Sequence, residues 1–205
     1  DIGKARSSAK IETDFGGFSG SNTMLRIRQA YVNLDWGKSA VLVGITWHPL
    51  FGAVMPDVLN LSTGAPFQPF NRSPQIRYQY KANSRVQLTA SVLWQLQYLS
   101  SGPKGMSEDY IKNSCIPEMF VGADFTPADG WLMGLGAHMI SLKPRTSTEW
   151  KEQTFKVNER MTAFSYEAHL KYSGRNYTFA AKTLMASALD HTALLGGYGV
   201  SSVDS

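Results

Sequence analysis

Cys115 is the only cysteine among 205 residues, so no disulfide can form within the chain and no thiolate-rich metal site is available. Charge is scarce as well. Asp, Glu, Lys and Arg make up 18% of the residues and leave a formal charge of +4, with the bases dispersed along the chain, which argues against a nucleic-acid partner. No stretch approaches the roughly 18 consecutive apolar residues that a transmembrane helix needs. The opening DIGKARSSAK lacks the charged-then-apolar pattern of a secretory signal. The expectation is that a signal has been removed or that the numbering starts inside a longer protein. His48, His138, His169 and His191 are scattered without HExxH-type spacing, and no nucleophile motif accompanies Ser91 or Ser165. No enzyme activity, metal centre or cofactor is expected, although Glu167 and His169 share a face at period two. Cys115 is read as a bystander in a long loop.

What the chain does have is alternation. In RVQLTASVLWQLQY, the residues Val86, Leu88, Ala90, Val92, Trp94, Leu96 and Tyr98 fall on one side, and Arg85, Gln87, Thr89, Ser91, Gln95 and Gln97 on the other. Soluble strands average about five or six residues, whereas a tilted membrane-spanning strand needs roughly nine to eleven. Seven side chains facing lipid, at about 1.5–3 kcal/mol each, amount to about 10–20 kcal/mol of burial. The same test finds about ten strands along a single domain, residues 1–205. Leu25 and Ile27 oppose Arg26 and Arg28, and the apolar phase then slips to Ala30, Val32 and Leu34, as a β-bulge requires.

Tight turn signals occur at residues 36–39, 82–84, 126–130 and 173–176. Longer connections occupy Gly16–Thr23, His48–Ser73, Leu99–Ile116, Leu142–Thr154 and Ala186–Ala193. Strict alternation of short and long connections is the pattern of an up-and-down barrel in an outer membrane. Trp36, Trp47, Trp94, Tyr98, Phe125, Trp131, Tyr172 and Tyr177 fall at or near strand ends, where aromatic girdles meet lipid headgroups. The fold expected is therefore all-β, an antiparallel transmembrane β-barrel. Ten strands closed alone would be nearly plugged, so a channel requires strands beyond residue 205.

MLRIRQAYVNLDW, then VLVGITWHPLFG, then NRSPQIRYQY resemble the amino-terminal half of the DcaP-type porins of Gram-negative outer membranes. The likeness covers about residues 9–100 and is carried by Glu12, Asp14, Arg26, Arg28, Ala30, Gly44, Thr46, Trp47, Arg72, Ser73, Pro74, Gln75 and Arg77. It implies passive diffusion of small anionic solutes such as carboxylates through a homotrimer in the bacterial outer membrane.

With the polar phase turned to a lumen, Lys10, Glu12 and Asp14 face Arg26 and Arg28, and Arg72, Arg77, Lys81 and Arg85 lie further round the wall. Opposed charges across a pore bias which ions pass; an ion-pair network filling the wall is the compatible alternative. The segment His48–Ser73 is too apolar for a solvated loop. Met55, Pro56, Asp57, Leu59 and Phe67 are its constriction candidates, with Pro56 and Asp57 opening a short helix; packing against a neighbouring subunit is the alternative. A non-channel outer-membrane barrel (adhesin, anchor or enzyme) and a soluble lipid-binding barrel are the competing readings.

Overall fold

The computed structural model describes residues 4–19, 22–52, 54, 64–196 and 199. Nine strands form one antiparallel sheet: β1 (Arg6–Ser19), β2 (Asn22–Asp35), β3 (Ser39–Trp47), β4 (Arg72–Lys81), β5 (Val86–Leu93), β8 (Glu118–Phe125), β9 (Trp131–Leu142), β12 (Met161–Ser173) and β13 (Thr178–Met185). Between them lie two small hairpins, β6 (Ser101–Gly102) with β7 (Gly105–Met106) and β10 (Ser147–Trp150) with β11 (Gln153–Lys156), and a short helix α1 (Asp109–Ser114). Each main-sheet strand pairs with its predecessor and its successor in the sheet. No pairing joins β1 to β13 among the described residues, so the sheet is open and not the closed barrel anticipated. Barrels of about eight strands have room inside only for side chains. Here the polar face also carries a folded loop, so nine strands cannot curl shut around it.

Period two sorts the side chains as the alternation requires, with the apolar set outward. Leu135 is 67% exposed and Val121 58%, and Ile76, Val92, Phe164 and Phe179 are also exposed. On the opposite face Gln75, Ser91, Glu118, His138, Ser165 and Glu167 are buried. Apolar burial is confined to one end of the sheet, where the long connections fold in. There Tyr110 and Ile111 of α1 pack on Ile140, Leu142 and Ala163, while Leu50 and Leu189 meet Leu93 and Phe120.

The phase slip in β2 is a bulge. Glu12 pairs with Gln29 and Thr13 with Ile27, which leaves Arg28 as the extra residue. Two sequence boundaries are corrected. Most of Gly16–Thr23 is strand, because β1 and β2 run 14 residues each and leave only positions 20–21 between them. The long alternating run is a strand only over Val86–Leu93, because prolines flank its end on both sides. Gln75 and Glu118 oppose Leu93, and the next partners would be Pro74 and Pro117, which have no N–H to give the ladder. Trp94 N–H still donates to Pro74 O at 2.9 Å, and the chain then turns away. Of the last weak strand candidate, about Leu194–Ser202, the described residues Leu194, Leu195, Gly196 and Gly199 are not strand and follow a 3₁₀ turn Asp190–Thr192, and the rest lies outside the described residues.

Gly44 of β3 has φ +134°, and a Cβ there would lie 2.2 Å from Ala30 O and 2.7 Å from Tyr31 Cα, both backbone atoms. Gly37, in the β2–β3 turn, also has positive φ (+83°) but open space around it. Gly44→Ala is therefore expected to lower folding stability by about 3 kcal/mol or more through strain plus collision, and Gly37→Ala by about 1 kcal/mol through strain alone. Denaturant unfolding of the two variants side by side checks the difference.

Candidate functional site

The polar face carries four groups of charged or titratable side chains, ordered from the β1 edge inward. At the edge, Arg26 grips Asp14 with two hydrogen bonds (Nε to Oδ1 2.9 Å, Nη2 to Oδ2 2.7 Å), and Arg28 bridges Glu12 at 2.7 Å and Asp14 at 3.0 Å. Lys10 adds an ion pair to Glu12 at 2.9 Å, and Gln29 donates to Glu12 while accepting from Thr46. The bulge adds Gln29 to this ladder: with Arg28 as the extra residue, Gln29 stands opposite Glu12, while Arg26 reaches Asp14 and Arg28 reaches both carboxylates.

Further in, the connection after β3 folds onto the polar face. His48 accepts the Leu50 N–H on Nδ1 at 3.2 Å and caps a 3₁₀ turn, Pro49–Phe51, whose residues are all buried. Lys182 of β13 donates to Leu50 O and to Phe51 O and lies 3.4 Å from Glu167, tying the turn to the far strands. Between this turn and the sheet is a cavity of about 250 Å³, lined among others by Arg77, Gln87, Thr89, Asp124, Glu167 and His169. His169 sits between Asp124 at 3.1 Å and Glu167 at 3.7 Å, so the anticipated Glu167–His169 pairing is part of a larger array. Arg77 donates to Trp47 O at 2.6 Å and to Gln75, and has no carboxylate partner among the described residues.

Other anticipated wall residues sit elsewhere. Arg72 is 1% exposed and lines no open surface; its guanidinium lies over Trp47 and Phe70 and donates to Tyr98 Oη at 3.0 Å. Trp47 and Tyr98 thereby turn inward, with Trp47 stacked on Phe51 at 4.0 Å, and do not form a girdle. The exposed aromatic band survives at the tight-turn end, where Trp131, Tyr172 and Tyr177 adjoin and Trp36 and Phe125 are exposed. Lys81 and Arg85 are exposed at the β4–β5 turn, at the rim of the wall. Of the constriction candidates, Met55, Pro56, Asp57 and Leu59 lie outside the described residues. Phe67 is 86% exposed and fills no lumen, whereas Val54 is buried.

The deepest group was not legible in the sequence. Glu118, first residue of β8, is fully buried, and its Oε2 is met by Nε2 of His48 at 3.3 Å, of His138 at 3.3 Å and of His191 at 3.1 Å. Its other oxygen accepts from Gln95 Nε2 at 2.8 Å, and Gln95 is itself held by Ser100 N and Oγ. Burial holds the His48 ring well below the usual imidazole range, at about 4, so it is neutral. Burial also pulls His191 toward the neutral form, but the charge and hydrogen bond of Glu118 outweigh it and raise its pKa. Three of the four scattered histidines thus converge on one carboxylate. The only trace in the sequence is that Glu118 and His138 fall on the polar phase of adjacent strands. His48 and His191 arrive from loops.

Neither the protein-family models nor the curated proteins with which the chain was compared match it.

Removing the carboxylate leaves three buried rings without their shared partner. Glu118→Ala is expected to destabilise the fold by about 3–5 kcal/mol, with protease cleavage appearing first in the connection after β3. Denaturant unfolding with limited proteolysis checks both; wild-type stability in the variant would show that the cluster holds nothing.

Proposed function

We propose that the chain is wall of an outer-membrane β-barrel of porin type, with the apolar face of the sheet against lipid and the polar face enclosing a path for small hydrophilic solutes. The observation that carries this reading is the inverted sidedness. Large apolar side chains such as Leu135 and Val121 stand exposed, while glutamate, glutamine, serine and histidine fill the covered face. A sheet in water turns its apolar face to a core, and an exposed apolar face of this extent needs a covering. Apart from the two-residue β1–β2 connection, the short turns gather at one end and the infolded segments at the other, which supports the same reading. An unpaired edge is not tolerated in hydrocarbon, so the proposal carries the requirement that β1 and β13 both find partners in the assembled protein.

The preference for anionic carboxylate solutes, and the trimer, rest on the resemblance to DcaP-type porins. On the polar face Lys10, Arg26, Arg28, Arg77 and Lys182 stand against Glu12, Asp14, Glu118, Asp124 and Glu167, with Lys10, Arg26, Arg28 and Lys182 already paired, and Lys81 and Lys171 add positive charge on the same phase. Arg77, without a carboxylate partner and on the cavity, is the residue best placed to attract an anion. One observation favours a second reading, a non-conducting barrel. The turn Pro49–Phe51 covers the polar face and leaves a cavity of only about 250 Å³.

Three outcomes test the reading. The protein extracted in detergent is expected to shift on gels when heated and to conduct in planar bilayers; a folded protein that stays in solution without detergent, or never conducts, overturns it. Neutralising Arg26, Arg28 and Arg77 together lowers the anion-to-cation permeability ratio, with Arg77→Gln alone giving much of the change, and unmoved reversal potentials remove the selectivity assignment. Val121→Arg on the outer face costs about 2–4 kcal/mol of stability in lipid, read by unfolding from vesicles, whereas an exposed site in water would tolerate it.

A further inference from the structure

Three imidazoles from three separate elements presenting Nε2 to one carboxylate oxygen is an unusual hydrogen-bond arrangement. A carboxylate oxygen offers about two lone-pair directions, yet Glu118 Oε2 has neighbours at 3.1, 3.3 and 3.3 Å, while Oε1 takes Gln95 alone. We propose that Glu118, His48, His138 and His191 form a binding site for a divalent transition-metal ion of the zinc class, one that ties the infolded loops to the sheet. The site goes beyond the transport reading and does not rest on it.

The spacing carries the inference. In a tetrahedral shell with metal–nitrogen and metal–oxygen bonds of about 2.0–2.1 Å, neighbouring ligand atoms lie about 3.3 Å apart. The three nitrogen-to-oxygen separations match that edge, and the ligand atoms of His48, Glu118 and His138 all lie within 4.8 Å of one another, whereas the His191 ring touches Glu118 from outside that group and has the furthest to close in. Loading therefore needs the rings to close in, not a new chain path. Three nitrogens and one carboxylate oxygen suit zinc or cobalt and not the all-oxygen preference of calcium or magnesium. The outer partners fit too: Gln95, clamped by Ser100, holds Oε1 and so aims Oε2 at the three rings. Nδ1 of His138 and Nδ1 of His191 are buried without a hydrogen-bond partner, so the outer acceptor that usually fixes a ligating ring is absent from both, and neither ring has a contact to break on loading. Four protein ligands leave no open position, so the ion is structural and not a Lewis acid for substrate.

His48 is the weakest ligand of the four. Coordination through Nε2 puts the ring proton on Nδ1, where Leu50 N–H now donates at 3.2 Å, so loading must break that contact. His138 meets no such conflict, which gives the site an internal ranking.

The test uses the full chain, purified in detergent and stripped with chelator, then titrated with Zn²⁺ by calorimetry and with Co²⁺ by absorption. The expected result is one equivalent bound, a tetrahedral Co²⁺ spectrum and a raised melting temperature. His138→Gln and Glu118→Gln weaken binding by more than about 100-fold, and Gln95→Ala and His48→Gln by about 10-fold to 100-fold. His191→Gln, in a 3₁₀ turn outside the sheet, serves as the variant whose strand circular dichroism stays intact while binding falls. Absence of stoichiometric Zn²⁺ binding by folded wild-type protein overturns the proposal, as does binding that survives in folded His138→Gln and His191→Gln. Either result leaves the conductance experiments untouched.

Discussion

A single buried carboxylate holds this structure's polar interior together. Glu118 joins β8 to the turn after β3 through His48, to β9 through His138, to the end of β5 through Gln95 and to the segment after β13 through His191. A carboxylate withdrawn from water is stable only if partners replace its hydration. Four side chains do so here, and each brings its own segment with it. The backbone reinforces the convergence: Phe70 N–H donates to Thr192 O, and Asn71 to His191 O. The loops are therefore positioned by the demand of one charge as much as by the few apolar contacts beneath them.

That constraint explains why the interior is polar yet closed. In a soluble sheet the covered face would be apolar and would pack by dispersion. Here the covered face is apolar only at one end and is elsewhere made of paired charges and amides. Lys182 pins the turn Pro49–Phe51 from the opposite side of the sheet, and Arg72, enclosed by Trp47, Phe70 and Tyr98, braces the entry to β4. The ladder at the β1 edge is more exposed, and its pairs contribute correspondingly less to stability. Its consequence is electrostatic: the bases of the ladder are already matched, which leaves Arg77 as the cation facing the cavity without an acidic partner among the described residues.

The apolar outer face and the tied inner face belong to one design. Under the proposed placement, with the outside against hydrocarbon, the wall must satisfy every polar group from within, and an inner face crowded with acids and bases satisfies most of its own. Width then becomes the open variable. Whether such a wall conducts depends on how far its edges are carried round and on how firmly the infolded turn is held, and the histidine cluster acts on the second of these.

Alternation at period two, the phase slip at Arg28 and the turn residues at 36–39, 82–84, 126–130 and 173–176 determined the strands, their two faces and their connectivity, because each depends on residues adjacent in the chain. The same logic placed Glu12, Asp14, Arg26 and Arg28 together, since a hairpin fixes its own register. It failed where partners are distant. His48 and His191 lie 70 and 73 residues from Glu118, and no local pattern links them; loop path and sheet register bring them together. Arg72 and Trp47 went inward for the same reason, drawn by the aromatic cluster around Phe51 and Phe70. Closure, too, was decided by tertiary structure, because the space inside a curved sheet depends on what the loops have already put there.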